Sequence, residues 1–153
     1  MTTSNKDREF MRRALEEARD AAGKGNVPVG CVLARGGEII ASAGNERSSS
    51  GDPTAHAEII ALREAGINRS GRVLAGVTAY VTLEPCPMCM SAMMLARIKR
   101  LVFGAPDEKL GAAISRWNMP NDTAFGHDIR VTSGVLADEC SALLREFFRS
   151  LRE

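Results

Sequence analysis

The chain has 153 residues, 44% of them hydrophobic, and a formal net charge of +1. That length and apolar content suffice for one domain spanning 1–153 with its own core, while the near-neutral charge excludes bulk attraction to nucleic acid and leaves only local basic patches. No apolar run approaches the roughly 18 residues of a membrane span, and the polar start from Met1 to Asp7 lacks signal-peptide character, so a cytoplasmic, reducing setting is expected for the four cysteines.

Ser4 to Ala22 carries Phe10, Met11, Ala14, Leu15, Ala18 and Ala22 at helical spacing with charges opposite, and predicts an amphipathic helix stopped by Gly23 and Gly25. Val27 to Leu33 reads as a buried strand. Arg35-Gly36-Gly37-Glu38 reads as a hairpin turn, and Glu38 to Ser42 as the returning strand. Gly44 to Thr54 is rich in Ser, Gly, Asn and Asp and predicts a loop. Thr54 is the expected N-cap of a second helix running to about Ala65 and ended by Gly66.

Val77 to Leu83 is β-branched and aromatic, a third strand. Glu84-Pro85 breaks it, and Pro87 suits the first turn of a third helix that holds Cys86 and Cys89 at its start and ends near Ile98. Met88, Met90, Met93 and Met94 read as core packing. Leu101 to Ala105 is a fourth strand, Pro106 to Gly126 a mixed polar segment, Ile129 to Thr132 an edge strand, and Asp138 to Arg152 a closing helix. This order implies a three-layer α/β/α sandwich on a five-stranded mixed sheet, with a hairpin first and crossover helices later. Two helix starts, one carrying His56 and the other the cysteines, must then meet.

The chemistry concentrates in Thr54-Ala55-His56-Ala57-Glu58 and Glu84-Pro85-Cys86-Pro87-Met88-Cys89. One imidazole and two thiolates make three ligands, the number a catalytic zinc takes when its fourth position stays open to water. Water so held has a pKa near ~7, and Glu58, two residues from the histidine, is a carboxylate able to move its proton. The alternatives are a redox pair at Cys86 and Cys89, which has no need of His56 or Glu58, and a closed structural zinc, whose fourth ligand would have to be His127, Cys31 or Cys140. Cys31 and Cys140 sit in apolar or helical runs and are expected as buried free thiols. Asn45 is either a turn residue or an amide for a nucleobase edge.

His-x-Glu followed by Pro-Cys-x-x-Cys is the zinc deaminase signature, and from Val27 onward the chain resembles the bacterial tRNA adenosine deaminases. The resemblance is carried by Val27-Pro28-Val29-Gly30, Asn45, Asp52 through Glu58, Tyr80 through Cys86, Val102-Phe103-Gly104-Ala105 and Leu136 through Cys140. It implies a cytidine-deaminase-like fold, a homodimer, one zinc per subunit on His56, Cys86 and Cys89, and Glu58 as proton shuttle. It also implies Asn45 against the base, Val27 and Pro28 lining the pocket, and Pro85 with its neighbouring amides near the reacting centre. The substrate would be the anticodon loop of tRNA, deaminated from adenosine to inosine at the wobble position.

Departures occur where that family carries Gly-Ser-Leu-Met and Asn-His-Arg. This chain has Ala113-Ile114-Ser115-Arg116 and Gly126-His127-Asp128, and Pro106 stands in place of a basic residue. Together with the low charge they motivate a competing reading, deamination of a free base such as cytosine or guanine. A non-catalytic RNA-binding subunit is a third, disfavoured by the presence of Glu58. Phe147, Phe148 and Arg149, with Arg145 and Arg152, offer the aromatic and guanidinium groups that stack on unpaired bases. Apart from the resemblance, they read as core-facing phenylalanines and solvated arginines.

Overall fold

The computed structural model describes residues 3–152. The elements are α1 (Asn5–Gly23), β1 (Gly30–Arg35), β2 (Glu38–Gly44), a single-turn α2 (Arg47–Ser50), α3 (Ala57–Ala65), β3 (Thr78–Leu83), α4 (Pro87–Leu95), β4 (Arg100–Ala105), β5 (Arg130–Thr132) and α5 (Ala137–Leu151). The sheet order is β2-β1-β3-β4-β5. β1 pairs antiparallel with β2 and β3, and β3, β4 and β5 run parallel. No helix among the described residues is long and apolar enough to cross a membrane.

The period-two side-chain alternation of strands divides the core in two. Cys31, Leu33, Ala79, Val81, Leu101 and Phe103 face Ala57, Ala61 and Ala65 of α3 and Met90, Met93 and Met94 of α4. Val32, Ala34, Tyr80 and Val102 face the other way, onto Phe10, Met11, Ala14 and Leu15 of α1 and Cys140 of α5. The sheet is thus buried on both faces, as parallel strands with crossover helices require, and the three-layer sandwich expected from element order is the one observed. α1 lies so close over β1 that a Cβ at Gly30 would overlap the Ala14 carbonyl.

Several boundaries differ from expectation for identifiable reasons. Val27 to Val29 precede β1, since the Val29 amide turns back to the Val27 carbonyl at 2.9 Å and Pro28 has no N–H to pair. Thr54 does not cap α3. Its amide and hydroxyl are both held by Asp52 Oδ1, at 2.8 and 2.7 Å, and the N-cap is His56. α3 does end at Ala65 with Gly66 as its C-cap, as expected, but the chain continues beyond it as a π turn over Gly66–Ser70. α4 stops before Ile98, because Arg97 takes φ 60°. The Arg97 and Ile98 amides then close onto the Met94 and Met93 carbonyls, the two bonds of a Schellman end.

One buried charge cluster ties α1 to the sheet. Asp7 of the Ser4–Asp7 capping box receives both terminal nitrogens of Arg100 at 2.9 Å and the Tyr80 hydroxyl at 2.9 Å. Burial opposes ionisation of Asp7, but Arg100, the Ser4 amide and Tyr80 prevail and bring its pKa down from 3.8 to about 2. Because folding depresses this pKa, the unfolded chain binds more protons between the two values, and stability rises with pH across that window. We therefore expect Asp7→Asn to cost about 2 kcal/mol at neutral pH. The loss should shrink as pH falls from about 4 to 2. Urea unfolding of both proteins across that range checks it, and a pH-independent difference would contradict it.

Candidate active site

Two helix starts build the site. His56 is the N-cap of α3, and Cys86 is the N-cap of α4 with Pro87 at its first turn. Neither side chain caps its own helix, although capping oxygens are strongly preferred at such positions. Both side chains turn instead toward a common point. His56 Nδ1 lies 3.5 Å from Cys86 Sγ and 3.4 Å from Cys89 Sγ. Ideal tetrahedral bonds of the usual zinc–nitrogen and zinc–sulfur lengths set nitrogen and sulfur about 3.5 Å apart, so the imidazole already stands from each sulfur at the spacing zinc takes, and all three donor atoms lie within 4.8 Å of one another. Among the described residues this is the one cluster of such donors.

The other candidate ligands lie elsewhere. His127 Nε2 contacts the Ile98 carbonyl at 2.8 Å, and Cys31 and Cys140 are buried free thiols. Three possible donors with no fourth among the described residues match the number that an open, catalytic zinc takes from its protein. Cys86 and Cys89 are free thiols, without a disulfide between them.

The charges fit a cation. The Cys89 thiol donates to Cys86, and that bond, together with His56 and against the burial, brings the Cys86 pKa down to about 4. Cys89, having given its hydrogen bond to Cys86 and being buried beside Glu58, is pushed far up. The hydrogen bond with Cys86 raises His56. Three donors competing for protons in this way would all be satisfied by one divalent ion, and the positive ends of two helices add to the field on the thiolates. Glu58, in the first turn of α3, is 4% exposed, and burial lifts its pKa to about 7.

These groups lie at a cavity of about 590 Å³ lined by His56, Glu58 and Cys86, by Val27, Val29 and Asn45, by Pro106 to Leu110, and by Leu144 and Phe148. That is the size of a small-molecule site. Asn45 is held in place: Nδ2 donates to the Val27 carbonyl at 3.2 Å and Oδ1 accepts from the Arg47 amide at 3.0 Å. Of the Val27-Pro28 pair only Val27 reaches the cavity, with Val29 as its companion, while Pro28 is buried. Pro85 is also buried and off the wall, and its carbonyl accepts from the Ala112 amide at 2.8 Å.

Phe148 is 44% exposed and borders the cavity. Phe147 does not border it, but packs edge-on against Phe148 at 5.4 Å between centroids. Arg149 borders a neighbouring recess with Arg145 and Arg152, and this recess shares Leu144 and Phe148 with the main cavity. Sequence reasoning quoted Glu84 and Val29 only as parts of motifs, marked Pro106 only as a departure, and gave none of them, nor Asp107 to Leu110, a place at the site. A glutamate at the very end of an apolar strand was the available signal.

Residues 4–105 match the family model of the cytidine and deoxycytidylate deaminase zinc-binding region. The chain is 45% identical over 147 residues to the tRNA-specific adenosine deaminase of Bacillus subtilis (strain 168), across 96% of this chain and 91% of that relative. It is 50% identical over 148 residues to the tRNA-specific adenosine deaminase of Haemophilus influenzae, across 96% and 86%. A solved structure from a study of A-to-I editing by tRNA:A34 deaminases at the wobble position of transfer RNA matches with a TM-score of 0.86 at 42% identity, over 89% of this chain and 99% of that one.

Proposed function

The chain belongs to the cytidine and deoxycytidylate deaminase zinc-binding family, and on this ground we propose that it is a zinc-dependent hydrolase converting adenosine to inosine at the anticodon wobble position of tRNA. The observation that carries the reading is the His56, Cys86 and Cys89 cluster beside buried Glu58 at a cavity of about 590 Å³, with room for a base and part of its neighbours. The three residues hold one zinc per subunit. Bound zinc supplies the Lewis acidity that makes water deprotonable near neutral pH.

Glu58 takes a proton from the attacking water and passes protons to the departing amino group. Water adds at C6 of adenine, the carbon–nitrogen bond breaks, and ammonia leaves. Val27, Val29 and the fixed Asn45 amide receive the splayed-out base. Phe148 offers it, or its neighbour, a stacking face. Arg145, Arg149 and Arg152 border the adjoining recess, where flanking phosphates would meet guanidinium groups. We further propose a homodimer, as the resemblance read from the sequence implies, and a cytoplasmic setting, supported by four free thiols.

The test is ammonia release from an anticodon stem-loop bearing adenosine at the wobble position, run beside a panel of free bases and nucleosides. Deamination of the stem-loop to inosine, with none of the panel turned over comparably, is expected. Turnover of cytosine or guanine with an inert stem-loop would overturn the reading in favour of a free-base enzyme.

A further inference from the structure

Glu84 has no part in the chemistry just described, yet it is the most heavily hydrogen-bonded carboxylate beside the site. It follows the last residue of β3, is 2% exposed, and precedes Cys86 by two positions. It accepts from the amides of Asp107 at 3.1 Å, Ala113 at 3.2 Å, Ile114 at 2.8 Å and Ser115 at 2.9 Å, and from the Ser115 hydroxyl. All five donors belong to one loop after β4. The near half of that loop, Pro106 to Leu110, is a wall of the cavity. Gly111, at its midpoint, is buried against the carboxylate, and a Cβ there would overlap both Glu84 and the Asp107 carbonyl. Backbone bonds extend the same seam, from the Glu84 amide to the Ala105 carbonyl and from the Ala112 amide to the Pro85 carbonyl.

Space-filling alone does not explain such a group. A buried carboxylate is costly unless nearly every lone pair is used, and an apolar side chain fills a gap with less penalty. The donors here are loop amides that have no sheet or helix partner, so the anion replaces the secondary structure the loop lacks. We propose that Glu84, which also borders the cavity, is a positioning residue: its carboxylate fixes the loop from Pro106 to Ser115, whose near half is one wall of the substrate cavity, and so sets how tightly the substrate base is held without touching proton transfer. This deepens the deaminase reading and rests on it.

The test uses zinc-loaded full-length protein carrying Glu84→Gln, which turns one acceptor into a donor facing amides, and separately Gly111→Ala, which keeps the carboxylate and forces the loop away from it. For each, KM and kcat on the anticodon stem-loop are measured with zinc content and amide hydrogen exchange. KM should rise about tenfold with kcat within about threefold, the pattern of lost binding that does not enter the chemical step. Exchange should quicken at Asp107 and at Ala113 to Ser115, while α3 and α4 stay protected and zinc stays bound. Wild-type KM in both variants would overturn the proposal. So would loss of zinc or of protection in α3 and α4, which would assign Glu84 to the metal framework. Because exchange reads the anchoring without turnover, an inert wild type would defeat the deaminase reading, and the exchange pattern would still support or overturn the anchoring by itself.

Discussion

Glu58→Gln is expected to leave a folded, zinc-loaded protein whose ammonia release falls by roughly 10²–10⁴-fold, the contribution typical of a positioned acid–base group. Glutamine keeps the volume and a polar end, so the packing of a side chain that is only 4% exposed is little disturbed. What it loses is the capacity to take a proton. Glu58 shares a hydrogen bond with Cys89, which the glutamine end can still make, and the mutual distances of His56, Cys86 and Cys89 depend on the starts of α3 and α4. Zinc content by elemental analysis and turnover on the stem-loop must therefore separate, with metal retained and activity lost. Turnover within tenfold of wild type would remove Glu58 from its assigned role, and loss of zinc would show that it supports the metal instead.

Removing a ligand should have the opposite signature. Cys89→Ser replaces a fully buried sulfur with a shorter, harder, far less acidic hydroxyl, and two ligands remain where three stood. Changes merely in the partners of metal ligands cost 10–100-fold in affinity or activity, so direct loss of a thiolate is expected to weaken zinc binding by more than about 100-fold and to take activity with it. Dialysis against a mild chelator followed by elemental analysis reads this directly. Cys140→Ala is the matched control, because Cys140 packs on the opposite face of the sheet among α1 and α5 residues. It should keep its zinc. A Cys89→Ser protein that still holds stoichiometric zinc after dialysis would break the assignment of the cluster.

Both outcomes depend on features that differ in how far the chain alone discloses them. The strands were readable because a sheet buried on two faces needs runs that are β-branched, aromatic or apolar nearly throughout, as in Val77 to Leu83 and Leu101 to Ala105. The candidate metal donors were readable because zinc chemistry restricts the donor types, and because Cys-x-x-Cys at a helix start is a local arrangement that spacing can express. Local rules failed where a nearby group competed: Asp52 takes the amide and hydroxyl of Thr54, so the helix cap passes to His56.

Convergence was not readable in the same way. That His56 Nδ1 stands within 3.5 Å of both sulfurs follows from α3 and α4 packing side by side on one face of the sheet, a long-range arrangement that no window of sequence contains. The same holds for Val29 rather than Pro28 on the cavity wall, and for Phe148 rather than Phe147. Spacing leaves neighbouring side chains equivalent until a partner surface selects one of them. Glu84 is the extreme case. Its donors lie more than twenty residues downstream in a stretch without periodicity, and only the folded chain brings a lone carboxylate and a set of unpaired amides to the same place. Residue chemistry therefore limited what this protein could do, and the packing of two helix starts and one loop against the sheet selected which side chains do it.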